Sequence, residues 1–145
     1  MNKLTSRKQI IEEAKTWLGT PFHPQAGVKH VGVDCAYLIG KTALNTGCIE
    51  SFLVPAYDFS WAAHTSEEFM CNLIESFGAT RIEEAKPGDI LCFQYGRACS
   101  HMGIMIEDGQ FIHGHAKVGR VVVNSLNGEY LDRLKRVYQF PNIED

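Results

Sequence analysis

The apolar pattern of the chain changes its period once, and this change constrains the fold more than any other feature. In the first half, apolar residues recur at helical spacing, which predicts helices over about 6–18, 35–46 and 65–77. The sequence Lys86-Pro87-Gly88-Asp89 then predicts a tight turn, after which apolar and polar residues alternate. This alternation predicts strands at about 89–94, 101–107, 110–113, 120–125 and 136–139. Helices followed by an antiparallel meander predict an α+β fold with helices packed on one face of a sheet.

Length and composition exclude several function classes. With 145 residues, we expect a single domain over 1–145. The net charge of -3 offers no basic patch for nucleic acid, and no apolar run approaches the roughly 20 residues of a membrane span. The N-terminus lacks the apolar core of a secretion signal, so we expect synthesis in the cytoplasm. Five scattered cysteines then predict reduced thiols and no disulfide framework.

Cys35 is placed where a cysteine can become a nucleophile. A loop rich in Gly, Pro and His over about 21–33 leads directly into the helix that Cys35 opens. The free N–H groups and the positive dipole at a helix N-terminus both favour a thiolate, which predicts a lowered pKa for Cys35. The alternative is a buried, inert helix cysteine, and we accept that alternative for Cys48, Cys71 and Cys92 because none opens a helix.

Two histidines provide a candidate base and a residue to orient it. His101 begins a predicted strand and His113 ends the next one, with a hairpin turn predicted at Asp108-Gly109 between them. Each histidine alone is more often structural than catalytic. On neighbouring strands, together with Cys35, they predict a nucleophilic cysteine enzyme.

A metal site is the competing interpretation of the same segment. Cys99-x-His101 and His113-x-His115 offer ligand types that zinc accepts. Neither C-x-x-C nor H-x-x-x-H spacing is present, and no phosphate loop or dinucleotide fingerprint occurs. We therefore expect no metal and no cofactor.

Five blocks of the sequence resemble the NlpC family of papain-like bacterial cell-wall cysteine peptidases. They are 17–22 (WLGTPF), 32–39 (GVDCAYLI), 86–93 (KPGDILCF), 100–104 (SHMGI) and 111–114 (FIHG). The resemblance implies a papain-like fold, with N-terminal helices on a mostly antiparallel sheet of five or six strands. It also implies hydrolysis of an amide bond in peptidoglycan stem peptides. In that reaction Cys35 is the nucleophile, His101 the general base and acid, and His113 the residue that orients His101.

Within this family the chain resembles the phage-type branch associated with tails and gene-transfer particles. The tracts 19–26 (GTPFHPQA) and 138–141 (YQFP) and the Gly-Val-Asp-Cys entry carry this resemblance. It implies phage-tail proteins as partners besides the stem peptide, and action at the cell wall after delivery in a phage particle.

Two positions depart from the family pattern and define the candidate substrate-binding residues. Phe22 stands where members commonly carry a tyrosine whose hydroxyl assists the oxyanion, and His23 or Gln25 could replace that hydroxyl. Ala36 stands where many members have a serine, which leaves Asp34 as the remaining residue beside the cysteine to bind the stem peptide.

Two further functions remain open from the sequence. The same triad could act as an amidase or acyltransferase on another amide or thioester. A catalytically inactive module that binds the wall or tail proteins is the alternative from a different class, and Phe22 and Ala36 favour it. The aromatic residues Tyr57, Phe59 and Trp61 are candidates to line a groove, with core packing an equal alternative.

Overall fold

The computed structural model describes residues 4–54 and 68–145, and it confirms the α+β class. Short elements come first along the chain: β1 (Thr5–Ser6), α1 (Arg7–Lys15), β2 (Gly27–Val28), β3 (Gly32–Val33), α2 (Cys35–Asn45) and α3 (Phe69–Ser76). The main sheet and the C-terminal elements follow: β4 (Thr80–Ile82), β5 (Ile90–Tyr95), β6 (Ala98–Met105), β7 (Gln110–His115), β8 (Arg120–Ser125), α4 (Gly128–Arg133), β9 (Leu134–Gln139) and β10 (Ile143–Glu144).

The main sheet has six strands, all paired antiparallel, in the order β4-β9-β5-β6-β7-β8. The two predicted turns hold its strands in register. Gly88 has a φ of +96° and Asp89 N–H donates to the Lys86 carbonyl at 3.0 Å, as the Pro-Gly turn requires. Asp108 and Gly109 have φ values of 61° and 68°, the conformation typical of a two-residue hairpin turn between β6 and β7.

The sheet has two differently covered faces. The helix face carries α1, α2 and α3, and its buried core includes Ile90, Met102, Ile104 and Ile112 together with Ile10, Leu38 and Ile74 from the helices. The aromatic face carries a smaller cluster of Leu91, Phe93, Phe111 and Val137, against which Tyr130 of α4 packs. The three predicted helices therefore pack on one face, as expected, and the short unpredicted helix α4 contributes Tyr130 to the other.

The three predicted helices begin or end at slightly different residues. Ser6 caps α1 through a reciprocal capping box with Gln9, and the helix ends at Lys15, before the predicted residue 18. The α2 helix ends at Asn45, within a residue of the prediction. The predicted start of the third helix at Thr65 lies outside the described residues, as do Tyr57, Phe59 and Trp61.

Two elements of the sheet region were not predicted from the sequence. The β4 strand has three residues, none of them fully buried, so it shows no apolar alternation. The α4 helix has six residues and no buried one, which leaves it without an apolar stripe. Among the described parts of the chain, no helix is long and apolar enough to cross a bilayer.

Candidate active site

Cys35 opens α2, as the sequence predicts, and Asp34 fixes that position. The Asp34 side chain accepts hydrogen bonds from Tyr37 N–H at 3.0 Å and from Gln25 N–H at 2.6 Å. The first bond caps the helix and the second holds the preceding loop against it. Because Asp34 has no exposed surface, this geometry gives its carboxylate a structural task in the loop and the helix start.

The thiol of Cys35 lies against a place where two strands of the sheet separate. β6 and β7 pair at only two positions, Ile104 with Ile112 and Met105 with Phe111. Beyond them, the helix start is close to both strands. A side chain at Gly114 of β7 would approach the Asp34 carbonyl carbon to 4.0 Å, and Cys35 Sγ lies 3.9 Å from the Ser100 carbonyl oxygen of β6.

The two predicted histidines meet on the aromatic face of the sheet. His101 Nε2 and His113 Nδ1 are 2.7 Å apart, which bridges the separation between β6 and β7. His113 has 1% of its surface exposed and packs against Phe111 and Tyr130. The hairpin prediction therefore placed both rings correctly on adjacent strands.

Asn124 extends this pair to a third residue that the sequence analysis missed. Its Oδ1 lies 2.7 Å from His113 Nε2. In the register of β7 and β8, Asn124 is opposite Phe111 and therefore diagonal to His113 on the same face. The sequence signal that could have identified Asn124 is its amide side chain at the end of the valine run 121–123. We call His101, His113 and Asn124 the histidine row.

The resting thiol and the histidine row are uncharged at neutral pH. Burial lowers the pKa of His101 to about 3 and that of His113 to about 4. Burial and the neighbouring Asp34 raise the pKa of Cys35 to about 12, although backbone N–H groups of Met102 and Ala36 act in the opposite direction. The prediction of a lowered Cys35 pKa from its helix position is wrong. Cys35 is 4% exposed, and desolvation of its thiolate raises the pKa more than the backbone N–H groups lower it.

Of the predicted substrate-binding residues, Phe22 contacts β7, the strand that holds His113. Its half-buried ring lies over Gly114, where an added side chain would contact Phe22 at 3.4 Å. His23 is exposed and its Nδ1 lies 2.9 Å from the Pro24 carbonyl oxygen. Gln25 is exposed at a φ of 58°, with its backbone N–H held by Asp34. These contacts make 22–25 a rim of the site.

Cys99 and His101, one of the two pairs that suggested a metal, do not face each other. A bulge at Ser100 shifts the register between Phe93 and Gln94, so that Cys99 faces the helices while His101 faces the aromatic cluster. Cys99 instead meets Glu68 and Cys71, and one ligand atom from each lies within 4.8 Å of the other two. In the described residues this is the single group of three metal-ligating side chains.

Comparisons with known proteins agree with this architecture. A model of the NlpC/P60 family matches residues 19–138. No curated protein matches the chain in sequence. The chain is similar in structure to the NlpC/P60 domain of the peptidoglycan hydrolase SagA, with a TM-score of 0.61 and 21% identity, covering 90% of this chain and 96% of that one.

Two further solved structures show the same fold at lower identity. The peptidoglycan hydrolase RipB from Mycobacterium tuberculosis has a TM-score of 0.63 and 18% identity, covering 92% of this chain and 63% of that one. An NlpC/P60 family protein from Bacillus cereus has a TM-score of 0.67 and 17% identity, covering 94% of this chain. The chain spans 41% of the length of that Bacillus cereus protein.

Proposed function

Because the chain belongs to the NlpC/P60 family, we propose that it is a cysteine peptidase that hydrolyses an amide bond in peptidoglycan stem peptides. Cys35 is the nucleophile, His101 the general base and acid, and His113 the residue that orients His101. The hydrogen-bonded histidine row beside the start of α2 is the observation that carries this proposal. The relatives SagA and RipB, both named as peptidoglycan hydrolases, support the substrate class.

The order of hydrogen bonds in the histidine row selects the tautomer that catalysis needs. Asn124 Oδ1 is an acceptor, so His113 donates through Nε2–H and keeps Nδ1 unprotonated. His113 Nδ1 then accepts from His101 Nε2–H. This leaves His101 Nδ1 without a proton, ready to accept the proton of Cys35.

We infer the steps of the reaction from these assigned roles. Cys35 leaves its contact with the Ser100 carbonyl and transfers its proton to His101 Nδ1 as Sγ attacks the substrate carbonyl. The oxyanion takes a hydrogen bond from Cys35 N–H at the helix start. His101 then donates the proton to the leaving amine, and a thioester remains on Cys35. Water hydrolyses that thioester with His101 again as the base.

The first experiment compares soluble wall peptides incubated with wild-type protein, Cys35→Ala and the matched control Cys48→Ala. Cys48 is buried in the same way but lies beyond the other end of α2. We expect wild type and Cys48→Ala to cleave and Cys35→Ala to be inactive, with fragment masses identifying the bond. Cleavage that survives in Cys35→Ala contradicts the proposal.

An inactive binding module is the second candidate, and one observation favours it. The Cys35 thiol is 4% exposed and protonated, so the resting site is closed to a substrate carbonyl. Folded wild-type protein that retains wall peptides without cleaving them would establish this candidate. Turnover of a non-wall amide or thioester by the same thiol would instead establish the amidase or acyltransferase alternative.

We propose in addition that the protein belongs to the phage-tail branch of the family and acts on the wall from a phage particle. The tracts 19–26 and 138–141 support this branch. Mass spectrometry of gradient-purified particles from the producing strain tests it. Peptides of this chain in the particle are expected, and their presence only in the cell lysate contradicts it.

A further inference from the structure

Three cysteines and a glutamate converge on the helix face of the sheet, on the side opposite the histidine row. We call Glu68, Cys71, Cys92 and Cys99 the thiol cluster. The thiols of Cys71, Cys92 and Cys99 are between 0% and 2% exposed. The Sγ atoms of Cys71 and Cys99 and a Glu68 carboxylate oxygen lie within 4.8 Å of one another, and Cys92 neighbours Cys71.

Three separate features of the fold bring these side chains together. Glu68 and Cys71 are three residues apart at the start of α3, which places them on one side of the helix. The bulge at Ser100 turns Cys99 of β6 to the helix face, where Cys92 of β5 already lies. The carboxylate of Glu68 accepts the backbone N–H of Cys99 at 3.1 Å, which holds it at the cluster.

The donor set fits one kind of ion. Zinc is bound by thiolate sulfur at about 2.3 Å and carboxylate oxygen at about 2.0–2.2 Å, so tetrahedral ligand atoms lie roughly 3.8 Å apart. We propose that Glu68, Cys71 and Cys99 bind one structural zinc ion, and that the thiol of Cys92, which neighbours Cys71, turns in to complete a tetrahedral site. Each thiol that becomes a ligand releases its proton to solvent as its sulfur–zinc bond forms.

The surroundings of the thiol cluster suit a negatively charged zinc site. Three thiolates and one carboxylate around Zn²⁺ carry a net charge of about −2. The Arg136 guanidinium interacts electrostatically with Cys71 and Glu68 and offsets that charge. The Tyr138 hydroxyl contacts Cys71 and is itself held by Glu75 and Arg136. These groups lie outside the zinc ligands and would help to orient them.

The proposed zinc is independent of the catalytic proposal but would stabilise the strand that holds it. Cys99 is two residues before His101 on β6, and Ser100 between them contacts Cys35. A metal bond at Cys99 fixes the bulge that sends Cys99 and His101 to opposite faces. Zinc is therefore expected to raise the thermal unfolding temperature whether or not the protein cleaves wall peptides.

The test is a titration of the full-length, reduced, chelator-treated protein with Zn²⁺ and, separately, with Co²⁺. We expect one equivalent to bind, with the charge-transfer absorption of a cobalt–thiolate site. Cys71→Ser and Cys99→Ser should weaken zinc binding by about 100-fold or more, because each ligand carries part of the binding free energy. Glu68→Gln, which keeps a neutral oxygen, should weaken it less.

Two controls keep the result specific to the thiol cluster. Cys48→Ser removes a cysteine that is buried elsewhere and should leave zinc binding unchanged. Cys35→Ala removes the thiol at the start of α2 and should also leave zinc binding unchanged. Wild-type protein that binds neither metal overturns the proposal without any variant. Zinc that is lost in Cys35→Ala but retained in Cys71→Ser and Cys99→Ser overturns it as well.

Discussion

The two faces of the sheet carry two polar clusters that differ in how their members are ordered. The histidine row lies on the aromatic face, where two hydrogen bonds of 2.7 Å link three rigid side chains end to end. The thiol cluster lies on the helix face, where Cys71 neighbours both other thiols. Thiols are weak hydrogen-bond donors and strong metal ligands, whereas a row of imidazoles passes protons. The first arrangement suits proton transfer, and the second suits coordination.

The bulge at Ser100 allows one strand to supply both clusters. Regular alternation would point Cys99 and His101 to the same face. Because Ser100 is the extra residue of the bulge, Cys99 turns to the helices and His101 to the aromatic cluster. The backbone of Ser100 is also the place where the Cys35 thiol contacts β6.

The largest expected effect is a loss of cleavage that leaves metal binding at the thiol cluster unchanged. His101→Gln removes the proposed base and should lower the cleavage rate by about 10²–10⁴-fold. Cobalt absorption at the thiol cluster should be unchanged in the same variant, since His101 faces the other side of the sheet. Mass spectrometry of wall-peptide cleavage and the cobalt spectrum check the two halves of this prediction.

Two results would break that separation. A cobalt spectrum that changes in His101→Gln would place the metal at the histidine row. Full cleavage by His101→Gln would remove His101 from the reaction. Urea unfolding of the variant at pH 8 provides the folding control for both.

The second prediction concerns Asn124 as a positioning residue. Asn124→Leu removes the acceptor that selects the His113 tautomer, and we expect the cleavage rate to fall by about 10- to 100-fold, less than for the base itself. Asn124→Asp keeps an acceptor at the same place and should restore most of that rate. Nitrogen-15 NMR of the histidine rings is the readout that a structural role would not change.

In wild type and Asn124→Asp, the ring spectra should show a proton on His101 Nε2 and none on Nδ1. Asn124→Leu should mix the two tautomers of His101. Equal rates for the leucine and aspartate variants, or a proton on Nδ1 in wild type, would contradict the assigned hydrogen-bond order.

The sequence predicted the histidine row better than the thiol cluster because of the distances along the chain. His101 and His113 are twelve residues apart across one hairpin whose turn residues are recognisable, so local rules place them together. Cys71 and Cys99 come from a helix and a strand joined only by tertiary packing. No spacing rule describes that pair, and the bulge at Ser100 reverses the face that alternation predicts.

The same limit applies to the Cys35 pKa and to the missed elements. A helix start is visible in sequence, but the burial that raises the Cys35 pKa depends on how the start of α2 packs against β6 and β7. The β4 strand and the α4 helix are short and lack buried stripes, so only their neighbours define them. The α+β class, by contrast, follows from the single change of period.

A third prediction uses pH to test how the histidine row is buried. The folded pKa values of about 3 for His101 and about 4 for His113 lie below the usual unfolded value near 6.5. The unfolded chain therefore takes up protons first as the pH falls. Stability should be full above pH about 6.5 and should decrease from there to pH about 3, where the lower folded pKa lies, by several kcal/mol for the pair.

Urea unfolding at pH 7.5 and pH 5 measures this change. His113→Gln, which keeps a polar side chain, should reduce the difference between the two free energies of unfolding. His23→Gln changes an exposed histidine at the rim and should leave the difference as in wild type. A wild-type free energy that rises on going to pH 5 would contradict the burial assigned to the histidine row.

The smallest expected effect concerns Phe22 in the rim formed by residues 22–25. Phe22→Tyr adds a hydroxyl to the ring that lies over Gly114, beside the strand that holds His113. A donor that reaches the oxyanion acts only in the transition state and should raise kcat while leaving KM unchanged. We expect an increase of about fivefold or less, because the new hydroxyl is not preorganised as an established oxyanion donor is, and such a donor contributes about 10²–10³-fold. Phe77→Tyr, a half-buried ring at the end of α3, is the matched control. A rise in kcat confined to Phe22→Tyr would place the reacting carbonyl under this rim, and equal rates in both variants would remove Phe22 from the oxyanion site.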